Sequence, residues 1–112
     1  FPEKLVFNGF DEMLLSGLAV GADGGIGSTY NFMAEKYIAL YRAFRAGDMG
    51  EALKIQQACN RIIKALCRVG VMEGEKEVLC QLGFDFGEAR SPFSSLTAEQ
   101  KDFLRKEITE QL

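Results

Sequence analysis

The chain has 112 residues, of which 47% are hydrophobic and 26% charged, a balance that excludes a disordered tract and suits one small globular unit. Thirteen basic against 16 acidic residues give a net charge of −3, so nothing electrostatic points to nucleic acid or an anionic membrane as partner. With no histidine, no CxxC and only Cys59, Cys67 and Cys80, a zinc site or a Cys–His nucleophile is excluded as well.

No apolar run approaches the ~20 residues of a membrane span, and the opening Phe1-Pro2-Glu3-Lys4 lacks the shape of a signal peptide. It reads as if the chain begins inside a larger structure. Cys59 and Cys67 share a helical stripe, and eight residues at ~1.5 Å rise separate them by about 12 Å, too far for a disulfide. Three free thiols suit a reducing, cytoplasmic setting.

Leu5-Val6-Phe7-Asn8 reads as a buried strand of a parallel sheet, ending at Gly9. Asp11 is placed to cap a helix striped by Leu14, Leu15 and Leu18 and stopped at Gly21. Residues 25–28 read as a second strand, making a βαβ unit with parallel strands. A second helix runs from Ser28 or Thr29 to about Ala46, with Tyr30, Met33, Tyr37, Leu40, Tyr41 and Phe44 on its apolar face. Gly47 ends it, and Asp48 with Glu51 starts a third helix striped by Ala52, Ile55, Cys59, Ile62, Leu66 and Val69. Gly70 stops that one. A fourth helix is predicted over roughly 73–82, a loop over 84–96, and a last helix behind a Thr97/Gln100 capping box.

Two apolar strands leave two open edges and uncovered faces. The segment therefore reads as part of a larger α/β structure. A (β/α)8 barrel, which needs ~250 residues, fits best: residues 1–46 would be its final two βα units and 47–112 a C-terminal helical extension.

In such a barrel the C-terminal ends of the strands face the active site. Gly9 there allows close approach of a ligand, and Asp11 and Glu12 offer acceptor oxygens for hydroxyl groups. Equally, both acids could simply complement a helix dipole. Ser28 could bind a substrate hydroxyl or cap the following helix. The run Gly24-Gly25-Ile26-Gly27-Ser28-Thr29 lacks the lysine of a P-loop, so a nucleotide is a poor fit. Tyr30, Tyr37 and Tyr41 suit a core or a subunit interface. None of the seven lysines stands at the C-terminal end of an apolar strand, and all seven read as solvated.

Phe7-Asn8-Gly9-Phe10-Asp11-Glu12, followed by Gly21-Ala22-Asp23-Gly24-Gly25-Ile26-Gly27-Ser28-Thr29-Tyr30-Asn31, resembles the N-acetylneuraminate lyases of the dihydrodipicolinate synthase superfamily. Ala46-Gly47-Asp48 and Ile55-Gln56 fit the same pattern, and the likeness fades after about residue 84. The resemblance implies a (β/α)8 barrel with C-terminal helices, usually a homotetramer. It implies metal-free and cofactor-free cleavage of N-acetylneuraminate to N-acetylmannosamine and pyruvate through a lysine Schiff base. That lysine, its tyrosine partner and the pyruvate-carboxylate loop belong to barrel strands this sequence does not match, so the implied partner is the N-terminal barrel portion. What carries over is the sugar side: the backbone of Gly9, the carboxylates of Asp11 and Glu12, and the Ser28 hydroxyl on the polyol chain. Phe10 stands where family members often have tyrosine. Two rivals remain, another pyruvate-dependent 2-keto-acid aldolase or dihydrodipicolinate synthase-like enzyme, and a non-enzymatic helical interaction module.

Overall fold

The computed structural model describes residues 3–112. Contacts gather the chain into two compact units, Phe1–Asn60 and Arg61–Leu112, each described on its own below. The junction falls inside a helix, whereas residue 46, where the sequence divides barrel units from helical extension, closes the helix before it.

The first unit opens with strand β1, Phe7–Asn8, and a 3-10 turn over Asp11–Met13 that leads into α1, Leu14–Ala19. Strand β2, Gly24–Gly25, lies parallel to β1, with Phe7 opposite Gly24 and Asn8 opposite Gly25. The amide of Asp23 donates to Val6 O at 2.7 Å and that of Ile26 to Asn8 O at 2.9 Å, extending the ladder at both ends. Helix α2, Tyr30–Arg45, follows, with non-helical φ/ψ at Met33. Helix α3, Met49–Cys67, begins with the Glu51 amide donating to the Asp48 carboxylate at 2.9 Å, the capping contact expected there. Leu14, Leu15 and Leu18, with Met33, Tyr37, Leu40, Ala52 and Cys59, are the buried hydrophobic set of this unit. α1 lies so close to β1 that a Cβ at Gly17 would come within 2.6 Å of the Asn8 side chain.

Two expectations are corrected here. Among the described residues the first strand is not buried: Leu5, Val6 and Phe7 are 73%, 55% and 49% exposed, because each strand has a single neighbour there, although α1 packs against the pair. The second strand is shorter and earlier than residues 25–28, since the chain leaves the ladder after Ile26 to begin α2.

The second unit takes its core from Ile62, Ile63 and Leu66 of α3, Val78 of α4, Val71–Gln81, and Leu104 of α5, Ala98–Glu107, with Ile108 just beyond. The Thr97 and Gln100 capping box forms in full: the Thr97 amide donates to Gln100 Oε1 at 2.9 Å and the Gln100 amide to Thr97 Oγ1 at 3.2 Å. Gly21, Gly47, Gly70 and Gly83 end α1 to α4 with φ between 80° and 110°, a range costly for residues with a Cβ, which is why glycine marks each stop. On the surface, Lys106 and Arg105 hold the Asp102 carboxyl below its usual range.

The reading of all seven lysines as solvated also needs amending. Lys76 is half-buried and donates from Nζ to Phe86 O at 3.2 Å and Glu88 O at 3.1 Å, pinning the loop after α4. Lys101 is half-buried against Glu77 at 3.3 Å. All three cysteines lie in helices as free thiols. No helix among the described residues is long and apolar enough to cross a membrane.

Candidate functional site

Because β1 and β2 run parallel and in register, the segments following them leave the sheet at the same end. Gly9 to Glu12 therefore emerge beside Gly27 and Ser28. Gly9 is exposed, with open space where a Cβ would stand. Glu12 is half-buried and Ser28 exposed.

Asp11 differs from the other three. It is 7% exposed, and its side chain caps no helix of its own. Oδ2 accepts from the Thr29 amide at 3.0 Å and from Thr29 Oγ1 at 2.5 Å. The expected cap on the helix after β1 is thus replaced by a cap on the start of α2, eighteen residues further on. There free amides and the helix dipole favour a carboxylate. Nor does Ser28 cap α2: Thr29 occupies the N-cap position, and its side chain is turned to Asp11. Space is left for Asp11 by Gly27, where a Cβ would overlap the carboxylate.

The Thr29 hydroxyl has one proton, and it goes to Asp11. The Tyr37 hydroxyl, 3.3 Å away, is therefore the donor to Thr29 Oγ1. Burial pushes the Tyr37 phenol well above its ordinary range, and it stays protonated to serve as that donor. Its ring lies against that of Tyr30, tilted by 43° with centroids 4.1 Å apart. Burial, with Asp11 nearby, pushes Tyr30 up to about 12; its hydroxyl is buried and has no partner among the described residues. Burial likewise raises the Cys59 thiol, so it is a poor nucleophile.

The turn itself is held from α3. Gln56 Nε2 donates to Asp11 O at 3.0 Å, Gln56 Oε1 accepts from the Leu15 amide at 2.9 Å, and Asn60 Nδ2 donates to Glu12 O at 3.1 Å. Sequence reasoning takes Thr29 as a possible start of α2 and Tyr37 as a core residue, as found, but gives neither a part in the site; it misses Asn60 and takes Gln56 only as part of a pattern. The available signal was a buried polar residue, Gln56, in line with Ala52 and Cys59 on an apolar stripe.

An apolar cavity of about 390 Å³ lies against α2, lined by Leu14, Gly25, Tyr30, Tyr37, Ile38 and Tyr41 among others; it contains none of Gly9, Asp11, Glu12 or Ser28. Among the described residues no cluster of three or more His, Cys, Asp or Glu is placed to hold a metal ion. The arrangement offers carboxylate, hydroxyl and open backbone at one end of a parallel strand pair, a set suited to hydrogen-bonding a polar ligand.

Comparison with known proteins gives a consistent result. The N-acetylneuraminate lyase of Rhizobium meliloti (strain 1021) is 42% identical over 107 residues, covering 96% of this chain and 36% of that protein. The crystal structure of N-acetylneuraminate lyase from Fusobacterium nucleatum complexed with pyruvate superposes with a TM-score of 0.93 at 37% identity, over 100% of this chain and 38% of the other. CdNal from Clostridium difficile, in complex with mannosamine, gives a TM-score of 0.93 at 34% identity, over 99% of this chain and 38% of the other. The chain thus spans little more than a third of the length of these relatives. A match to the dihydrodipicolinate synthetase family extends over residues 2–111, and the chain belongs to that family.

Proposed function

We propose that this chain is the sugar-binding part of an N-acetylneuraminate lyase, which cleaves N-acetylneuraminate to N-acetylmannosamine and pyruvate. In this reading residues 1–46 form the last two βα units of a (β/α)8 barrel and the later helices its C-terminal extension. The preceding barrel portion supplies the Schiff-base lysine, and the complete enzyme assembles as a homotetramer. The carrying observation is the bond of Asp11 to Thr29 across one end of the parallel β1–β2 pair, the end from which the segments bearing Gly9, Glu12 and Ser28 leave the sheet. A parallel pair with exposed apolar Leu5, Val6 and Phe7 also suits flanking barrel strands. A relative named as a lyase of this sugar acid, a solved lyase of that name bound to pyruvate, and CdNal bound to mannosamine support the substrate class.

The polyol end of such a substrate carries several hydroxyls, and a site that bonds them rejects analogues lacking them. Glu12 would accept hydroxyl protons, Ser28 would donate or accept, and the Gly9 backbone would let the chain of hydroxyls pass close. Asp11 would contribute its carboxylate while anchoring the start of α2. In the full-length enzyme, Glu12→Gln and Ser28→Ala should each lower kcat/KM for N-acetylneuraminate by about tenfold. Unchanged kcat/KM in both variants would remove these residues from the pocket.

A further inference from the structure

We propose that Gln56 and Asn60 are positioning residues for substrate recognition, acting through the main chain of Asp11 and Glu12. The inference rests on the N-acetylneuraminate lyase reading above and deepens it.

The segment that carries Asp11 and Glu12 cannot fix its own geometry. It is a three-residue 3-10 turn running into a six-residue helix, too short to be stable by itself. Its shape is imposed from α3. Gln56 is 5% exposed and uses both ends of its amide: Nε2 donates to Asp11 O, Oε1 accepts from the Leu15 amide, and a second Nε2 proton goes to Asn60 Oδ1 at 2.9 Å. That last bond fixes the Asn60 amide, whose Nδ2 then donates to Glu12 O. Two amides one helical turn apart thereby grip the carbonyls of both acidic residues and the first free amide of α1.

Each grip sits on the backbone directly under a side chain assigned to the sugar acid. A shift of the turn moves the Glu12 carboxylate relative to the substrate's hydroxyls, and misplacement by 1 Å can cost on the order of 10²-fold. Because the carbonyls it grips belong to the two polyol-facing acids, its loss falls on the sugar end and not on pyruvate. A helix cap that served stability alone would leave the affinity for both substrates as it was.

The test uses the full-length enzyme with Gln56→Met, Asn60→Ala and, as reference, Glu12→Gln. For each, KM for N-acetylneuraminate in cleavage, KM for pyruvate in condensation and Tm are measured. Gln56→Met and Asn60→Ala should raise KM for N-acetylneuraminate about tenfold and leave KM for pyruvate within about twofold. The Gln56→Met/Glu12→Gln double variant should raise it by less than the product of the single effects, since both changes disable one contact. A lowered Tm with both KM values unchanged overturns the proposal, as does an additive double variant. If Glu12→Gln raises KM while Gln56→Met and Asn60→Ala do not, this inference alone falls. If Glu12→Gln has no effect, the pocket reading falls and takes the inference with it. Should Gln56→Met fail to fold, Asn60→Ala, at a half-buried position, decides the matter.

Discussion

The two units of the chain differ in what their long-range polar bonds hold. In Phe1–Asn60, bonds from Gln56 and Asn60 span 41, 45 and 48 residues, and Asp11 reaches eighteen residues to Thr29. In Arg61–Leu112, Thr97 caps α5 with Gln100 three residues on, Gln81 bonds Lys101 O and Thr109 over 20 and 28 residues, and Leu66, Val78, Leu104 and Ile108 are wholly buried. In the first unit the long-range polar bonds shape a turn; in the second they tie helical segments together around an apolar core. The region proposed to meet substrate is thus the one whose geometry depends on buried polar bonds, where a small loss displaces groups more than it unfolds them.

This contrast can be attacked directly. The largest effect is expected from Leu104→Ala, which empties a fully buried site in the second unit and should cost about 2–5 kcal/mol, read as a drop in thermal stability. KM for N-acetylneuraminate in the surviving folded enzyme should be unchanged, and a raised KM would break the division of labour. Gly27→Ala comes next. Its methyl must displace the Asp11 carboxylate from Thr29, which should cost about 1–3 kcal/mol and, unlike Leu104→Ala, raise KM as well. If Gly27→Ala lowers stability alone, Asp11 is a fastening and not part of the pocket. The smallest effect belongs to Thr97→Ala, which removes one helix cap for about 1 kcal/mol and should leave kinetics untouched, checked by thermal unfolding alongside steady-state rates.

The same contrast separates what the sequence made legible from what it hid. The helices after residue 28 could be read closely because their signals are local: a glycine at the stops of α2, α3 and α4, Asp48 beside Glu51, Thr97 beside Gln100. The strands were located but misjudged in extent and burial, since a strand is defined by neighbours elsewhere in the chain and each here has only one. Asp11 was legible as a helix-capping acid but assigned to the wrong helix. Its choice of Thr29 over the turn it sits in depends on the parallel register of β1 and β2, which no local pattern encodes. Gly9, Asp11, Glu12 and Ser28 could be nominated from strand ends and family likeness, whereas Asn60 looks like any helical polar residue until the fold brings it to Glu12.

The overlap of Asp11 with the space above Gly27 has an evolutionary consequence. The two positions occupy one volume between them, so neither can change freely while the other stays. A lineage that enlarged residue 27 would first have to shorten or lose the acid at residue 11, and with it the fastening of α2. Across descendants of this chain the pair should therefore be inherited together or replaced together, and an intermediate bearing aspartate at 11 with any side chain at 27 should be selected against.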